Sequence, residues 1–293
     1  MSGEGLPFKV EHTGRNVLTM RCKVSAPPSE WEQWILLRSD AHHDNPKCDW
    51  ALEKRHLDEA KERGAGIIDL GDLFCMMQGK YDRRHTKAAV RPEHQVDDYL
   101  DAVIRTAADF YEPYADNFLV IGRGNHECSV EKRHEIRPIE RLVATLNDRT
   151  KAQIQAGGYT GWVRFFFTKG KTEHTSRVLW YTHGYGGGGP VTQDMIQSNR
   201  QRVYIENADI MASGHSHDAW ANETTKLKLN VSGEVVQRPL WYIKCPTYKD
   251  DYGSGFSGWH VDTGKPPKPK GAWWLRFWWD GRRGLQMQVL RAS

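Results

Sequence analysis

Residues 117–127 read NFLVIGRGNHE: an apolar run from Phe118 to Ile121, a glycine-bounded turn, then Asn125, His126 and Glu127. A short apolar run bounded by turn residues reads as a buried strand. This one stops on side chains that hold metals and move protons. The layout recurs along the chain. WEQWILLRSD (31–40) runs into Asp40 and, two residues on, His42. IIDLGD (67–72) stops on Asp72, RVLWYTHG (177–184) on His183, and ADIMASGHSH (208–217) on His215 and His217. Helix-like stretches lie between them. ALEKRHLDEAKERGAG (51–66) places Leu52, Leu57 and Ala60 at helical spacing and ends in glycines, which suit a helix C-terminus. HQVDDYLDAVIRTAADFY (94–111) is amphipathic. The order β-α-β-α-β predicts an α/β fold with a mostly parallel sheet covered by helices. Sites in such sheets gather at the carboxyl ends of the strands. Five strand tips on one sheet edge would therefore bring their polar clusters together.

The rest of the chain sets bounds on this reading. Residues 1–30 are polar and irregular and read as an arm or edge strand. Residues 31–293 read as one domain, with a helix near 192–204 and a strand-rich, Trp-rich part at 219–293. GKPPKPKG (264–271) is an extended linker. The 9 Phe, 11 Tyr and 12 Trp exclude a disordered chain. No apolar run approaches the ~18 residues of a membrane helix, so no membrane partner is expected. The N-terminus lacks a charged-then-apolar leader. The five cysteines are odd in number, widely spaced and form no CxxC, against a disulfide framework or zinc knuckle. A reducing cytoplasm is the expected compartment. The net charge is +4, 41 basic residues against 37 acidic. That is compatible with a polyanionic partner such as DNA or RNA, but modest for tracking a nucleic-acid backbone.

Taken in order, D-x-H, G-D, G-N-H-E, H and G-H-x-H resemble the calcineurin-like metallophosphoesterase superfamily. SDAHHDNPKCDW (39–50) and GDLFCMMQGKYDRR (71–84) are similar to phage-type members, for which the compartment would be a host cytoplasm. The resemblance implies a four-layer α/β sandwich, two mostly parallel or mixed sheets flanked by helices. It also implies two divalent metal ions. Asp40, His42 and His217 would bind one; Asn125, His183 and His215 would bind the other; Asp72 would bridge them. His126 would be the general acid, with Glu127 supporting it. Adjacent residues of an extended segment point to opposite sides, so D-x-H spacing selects His42. That leaves His43 and Asp44 as candidates for supporting or substrate-side roles.

The chemistry is self-consistent. Two metals ~3.5–4 Å apart can hold a bridging hydroxide and clamp phosphoryl oxygens during in-line attack. Only two carboxylates, Asp40 and Asp72, stand among the ligands, so the metal pair stays net positive towards an anionic phosphate. A nitrogen and oxygen donor set without thiolate favours manganese, iron or zinc over a structural zinc site. Manganese is the expected metal, with iron or zinc as alternatives.

The chain departs from the phosphoprotein phosphatases, which carry G-D-x-V-D-R-G. Here Cys75 and Met76 replace the acid and the arginine. GDLF also resembles the double-strand-break-repair nucleases, which usually place a histidine where Cys75 stands. A phosphodiesterase acting on nucleic acid or nucleotides is the expected activity. A phosphomonoesterase, a protein phosphatase or a non-catalytic metal-binding scaffold are the alternatives. Phosphate contacts would come from Arg123, His43 and a basic loop carrying Lys80, Arg83, Arg84, Lys87 and Arg91. Tyr185–Pro190 holds four glycines and reads as a lid or a plain connection. Trp273, Trp274, Trp278 and Trp279 read as packing or an oligomer contact, with a base-stacking platform as the alternative.

Overall fold

The computed structural model describes residues 5–77, 90–187, 189–256 and 259–292. Two sheets pack face to face. In the first, β3 (Glu32–Arg38), β4 (Gly66–Asp69), β5 (Phe118–Ile121) and β6 (Gln155–Ala156) run parallel. β12 (Ala272–Asp280) pairs antiparallel with β3, and β13 (Gly284–Ala292) closes that edge. The second sheet is mixed. It contains β1 (Phe8–Gly14), β2 (Val17–Val24), β7 (Thr160–Lys169), β8 (Glu173–Thr182), β9 (Ile210–Ser213), β10 (Trp220–Leu229) and β11 (Val235–Lys244), in the order β1-β2-β7-β8-β9-β11-β10.

The alternation of side chains along β3 shows how the layers form. Ile35 and Leu37 enter the core between the sheets, with Phe165, Phe167 and Leu179; Leu36 enters the core on the helix side. Successive strand residues face opposite ways, and a strand buried on both faces reads as a continuous apolar run. The helix side is covered by α1 (Trp50–Glu62), α2 (Tyr99–Tyr111), α3 (Asn125–His134) and α4 (Pro138–Thr150), which bury Leu57, Val103, Val130 and Leu142 there. On the outer face of the second sheet, Ile205 and Ala208, which follow α5 (Met195–Gln201), cover Trp180, Met211 and Leu240. The observed architecture is the expected α/β sandwich, two sheets flanked by helices. None of the described helices is long and apolar enough to cross a membrane.

Some boundaries differ from the sequence reading. Residues 8–24 form a hairpin in which β1 is the sheet edge and β2 lies inside it, paired parallel with β7. α2 starts at Tyr99 rather than at residue 94, because Pro92–His94 form a separate 3-10 turn. α3 was not legible, since Glu127 and Val130 are its only fully buried residues. α5 is shorter than the expected span. Among the C-terminal tryptophans, Trp274 and Trp279 are buried, and the Trp273 indole donates to the Lys244 carbonyl. Trp278 lies under Arg276. That arrangement is packing, and leaves no run of open indole faces for stacking bases.

A buried polar network ties the two strands that carry Asp40 and Asp72. Arg38 is fully buried and donates to Asp69 (2.8 Å) and Glu53 (2.7 Å). Its guanidinium lies over the Tyr111 and Tyr248 rings. Burial alone would raise the Glu53 pKa, but Arg38 and His43 outweigh it and bring it down to about 2 from 4.5. Burial, with Arg55 and Arg38, lowers His56 to about 4 from 6.5. Both depressed values give stability that is present at high pH and lost in acid. The His56 part fades as pH falls from 6.5 through 4, and the Glu53 part from 4.5 through 2. Denaturant unfolding measured across that range should show both losses. Glu53→Gln should remove the lower one and cost about 3 kcal/mol at neutral pH, because buried Arg38 and His43 lose a charged partner and Arg38 keeps only the charge of Asp69.

Candidate metal centre

Each expected cluster stands just beyond the C-terminal end of a strand. Asp40 and His42 follow β3, Asp72 follows β4, and Asn125 and His126 open α3 after β5. His183 follows β8, and His215 and His217 follow β9. Parallel order in each sheet aligns these ends, so the clusters meet at one edge of the sandwich.

Among the described residues, three groups of donor atoms lie at this edge. One, His42, Cys75 and His126, shares His42 with the first of the two made of the expected ligands. Of those two, Asp40, His42 and His217 form the first; Asp72, His183 and His215 form the second. In the first, His217 Nε2 lies 3.3 Å from both Asp40 Oδ1 and His42 Nε2. In the second, His183 Nε2 lies 3.2 Å from Asp72 Oδ2 and 3.1 Å from Asn125 Oδ1. His215 Nδ1 is 2.7 Å from the same Asn125 oxygen. The donor set suits divalent cations. Two imidazole nitrogens face each other, and the buried Asp40 Oδ1 accepts no hydrogen bond from the protein. Such a cluster of lone pairs is costly to bury without a cation.

The second nitrogen of several rings is held by the scaffold, which fixes the tautomer. His183 Nδ1 donates to the Leu70 carbonyl (3.2 Å), and His126 Nδ1 to the Cys75 carbonyl (2.7 Å). His42 Nδ1 sits 3.2 Å from Cys75 Sγ. The carboxylates are aimed in the same way. Asp40 Oδ2 accepts from the His215 amide (2.9 Å), and Asp72 Oδ1 from the His126 amide (2.9 Å).

Backbone geometry reflects these demands. Asp40, His42, Asp72, His215 and His217 all have positive φ, between 48° and 72°. Each such non-glycine residue costs of order 1–3 kcal/mol, and the cost is characteristic of functional sites. Glycines supply the close approaches. A Cβ on Gly214 would lie 2.0 Å from Ser39 Oγ, and one on Gly124 would lie 2.0 Å from Asp72 Oδ1.

The electrostatics follow from the crowding. Burial would lower the His183 pKa, but Asp72 and Asp40 raise it to about 9. Burial would raise Asp72, but His183 and His126 hold it well below the usual carboxylate range. Burial and the Asp72 charge push Glu127 up to about 8.

Three expected roles are corrected by position. His43 points away from the donors. It is buried, stacks on Trp50 and bonds Glu53 at 2.9 Å. Glu127 does not orient His126. Its carboxylate accepts the backbone amides of Gly124 (2.7 Å), Phe74 (2.9 Å) and Asp72 (3.2 Å), so it fastens the two turns together. Asp44 has a parallel task, accepting the Cys75 and Met76 amides. Arg123 is paired with Glu131, with Glu140 3.8 Å away, and does not line the site. Lys80, Arg83, Arg84 and Lys87 lie outside the described residues. Arg91 stacks over Trp50. Among its described residues, the glycine loop after His183 adds no wall to the site.

A cavity of about 430 Å³ opens over the donors. Besides His42, Asp72, Asn125, His126, His215 and His217, it is lined by Met77, Lys249, Asp251 and His260. The last three were missed. Lys249 and Asp251 stand in KDD (249–251) after β11, which carries no metal-ligand spacing, and His260 stands in a short helix at Trp259–Asp262; only the fold brings them to the site.

No protein-family model and no curated protein matches the chain. Among solved structures, the chain is similar to Vps29 of Chaetomium thermophilum, at 8% identity and a TM-score of 0.36, over 88% of this chain and 95% of that one. It is also similar to GAP50, described as the anchor in the inner membrane complex of Plasmodium. That match has 8% identity and a TM-score of 0.40, over 89% of this chain and 85% of the other.

Proposed function

We propose that the chain is a divalent-metal-dependent phosphoesterase that hydrolyses phosphodiesters of nucleic acid or nucleotides. One observation carries the reading: two groups of donors, Asp40–His42–His217 and Asp72–His183–His215, each present two residues to one cavity that has His126 on its wall. Asp40, His42 and His217 would hold one cation, Asn125, His183 and His215 the other, with Asp72 between them. Manganese is the proposed pair, with iron or zinc as alternatives. Bound there, the metals supply a strong nucleophile at neutral pH and neutralise phosphoryl charge.

The residues of the chain do the rest. With Nδ1 donating to the Cys75 carbonyl, His126 presents Nε2 to the cavity, 3.9 Å from Asp72 Oδ2. A proton carried on Nε2 can pass to the departing alkoxide. The Cys75 carbonyl thus orients the histidine where the phosphoprotein phosphatases use a carboxylate. The absence of that acid and its arginine, at Cys75 and Met76, favours a diesterase over a protein phosphatase.

The test is turnover of bis-p-nitrophenyl phosphate and p-nitrophenyl phosphate with manganese, zinc or chelator. Metal-dependent diester cleavage is expected. Tight metal binding without turnover of either ester would make the chain a scaffold. His126→Ala should slow diester turnover by about 10²–10⁴-fold while metal content, measured by elemental analysis, stays unchanged. Loss of metal would place His126 among the ligands. A panel of DNA, RNA and cyclic nucleotides then separates substrates. Cleavage of long DNA should fall steeply with salt, and that of a small nucleotide should not.

A further inference from the structure

The basic residues nearest the motifs in sequence do not line the cavity: Arg123 is paired with Glu131, and His43 is turned to Glu53. Among the described residues, Lys249 is the one Lys or Arg that lines the cavity. Its main chain is fixed. It bridges to Cys48, and its amide donates to Thr247 Oγ1 at 2.9 Å. Thr247 Oγ1 in turn donates to the Asp40 carbonyl at 2.7 Å. Lys249 is therefore registered on the same residue that begins the donor cluster. Its side chain is 13% exposed, and Nζ lies 3.2 Å from Asp251 Oδ1. Asp251 also lines the cavity, with its side chain 9% exposed.

We propose that Lys249 is the residue that binds the substrate's phosphoryl oxygen, and that Asp251 beside it selects a singly charged phosphodiester over a doubly charged monoester. This rests on the phosphoesterase reading above. An ammonium held in a poorly hydrated wall attracts an anion strongly at short range. The neighbouring carboxylate cancels that charge at longer range and repels each further negative charge on the ligand. A diester carries one negative charge, whereas a phosphate monoester carries about −1.5 to −2 at neutral pH. The pair therefore favours the diester on charge alone.

Calorimetry with diphenyl phosphate and phenyl phosphate, on manganese-loaded protein whose turnover is slowed by His126→Ala, reads binding apart from hydrolysis. Lys249→Met should weaken diphenyl phosphate binding by about 10–100-fold, the scale of losing one charge-assisted hydrogen bond. Lys249→Arg should restore most of it. Asp251→Asn should tighten phenyl phosphate relative to diphenyl phosphate by about tenfold, and shift kcat/KM between the two p-nitrophenyl esters the same way. Unchanged diphenyl phosphate affinity in Lys249→Met overturns the anion site. An unchanged ratio in Asp251→Asn overturns the selectivity. If the wild-type chain binds diphenyl phosphate through Lys249 but cleaves nothing, the hydrolytic reading fails and the anion site stands.

Discussion

Asp72→Asn should reduce metal-dependent diester hydrolysis by at least about a thousandfold, close to 4 kcal/mol of transition-state stabilisation. Asp72 is the carboxylate of the second donor group. Its Oδ2 faces His183 Nε2 at 3.2 Å and His126 Nε2 at 3.9 Å. Asparagine has the same shape, so the oxygen that accepts the His126 amide at 2.9 Å can be kept, and the fold should survive. What the amide removes is the negative charge, which His183 and His126 secure at neutral pH against the burial that opposes it. Steady-state turnover of bis-p-nitrophenyl phosphate, with metal content in parallel, checks this. Near-wild-type turnover would refute the assignment of the centre.

Gly214→Ala should abolish the centre from a residue that offers no donor of its own. Its new methyl would lie 2.0 Å from Ser39 Oγ and 2.4 Å from Asp40 Oδ2. Neither neighbour has room to retreat. Both are fully buried, and the Asp40 amide is bonded to the Gly71 carbonyl at 2.9 Å. The turn after β9 must move away from the turn after β3, which breaks the bond from the His215 amide to Asp40. Metal affinity should fall by 100-fold or more, as ~2.7 kcal/mol of lost alignment implies. Stability should fall by about 1–3 kcal/mol, as for overpacking. Gly187→Ala is the control, since a Cβ there meets nothing within 4 Å. Calorimetric metal titration and denaturant melts separate the two effects. Equal metal affinity in Gly214→Ala would show that the close approach is dispensable.

The donors were legible in the sequence because each follows a strand whose burial makes it a continuous apolar run. Ile35–Leu37 before Asp40 and Ile210–Ala212 before His215 are examples. Strand ends carry positional information, so spacing was enough for His42 over His43. Direction off the strand was not legible. Arg123 is two residues from Asn125, yet it swings to Glu131 one helix along. Glu127 follows His126, yet it faces backbone amides. The Arg38–Glu53–Asp69 network was invisible for a related reason. A buried charge looks like a surface charge until its partners, 15 and 31 residues away, are in place. Lys249 and Asp251 lie in a turn after β11 and His260 in a one-turn helix, Trp259–Asp262, and only the fold brings the three to the cavity.

The way the two carboxylates are aimed bears on the order in which the chain becomes competent. The amide that fixes Asp72 comes 54 residues later, and the one that fixes Asp40 comes 175 residues later. Contacts of such long separation form late in folding. During synthesis, an N-terminal portion ending before β9 would hold Asp40, His42 and Asp72 without the amide that aims Asp40. The first donor group would also lack His217. If the chain binds metal as proposed, the first donor group would be complete only once the residues after β9 have joined the fold.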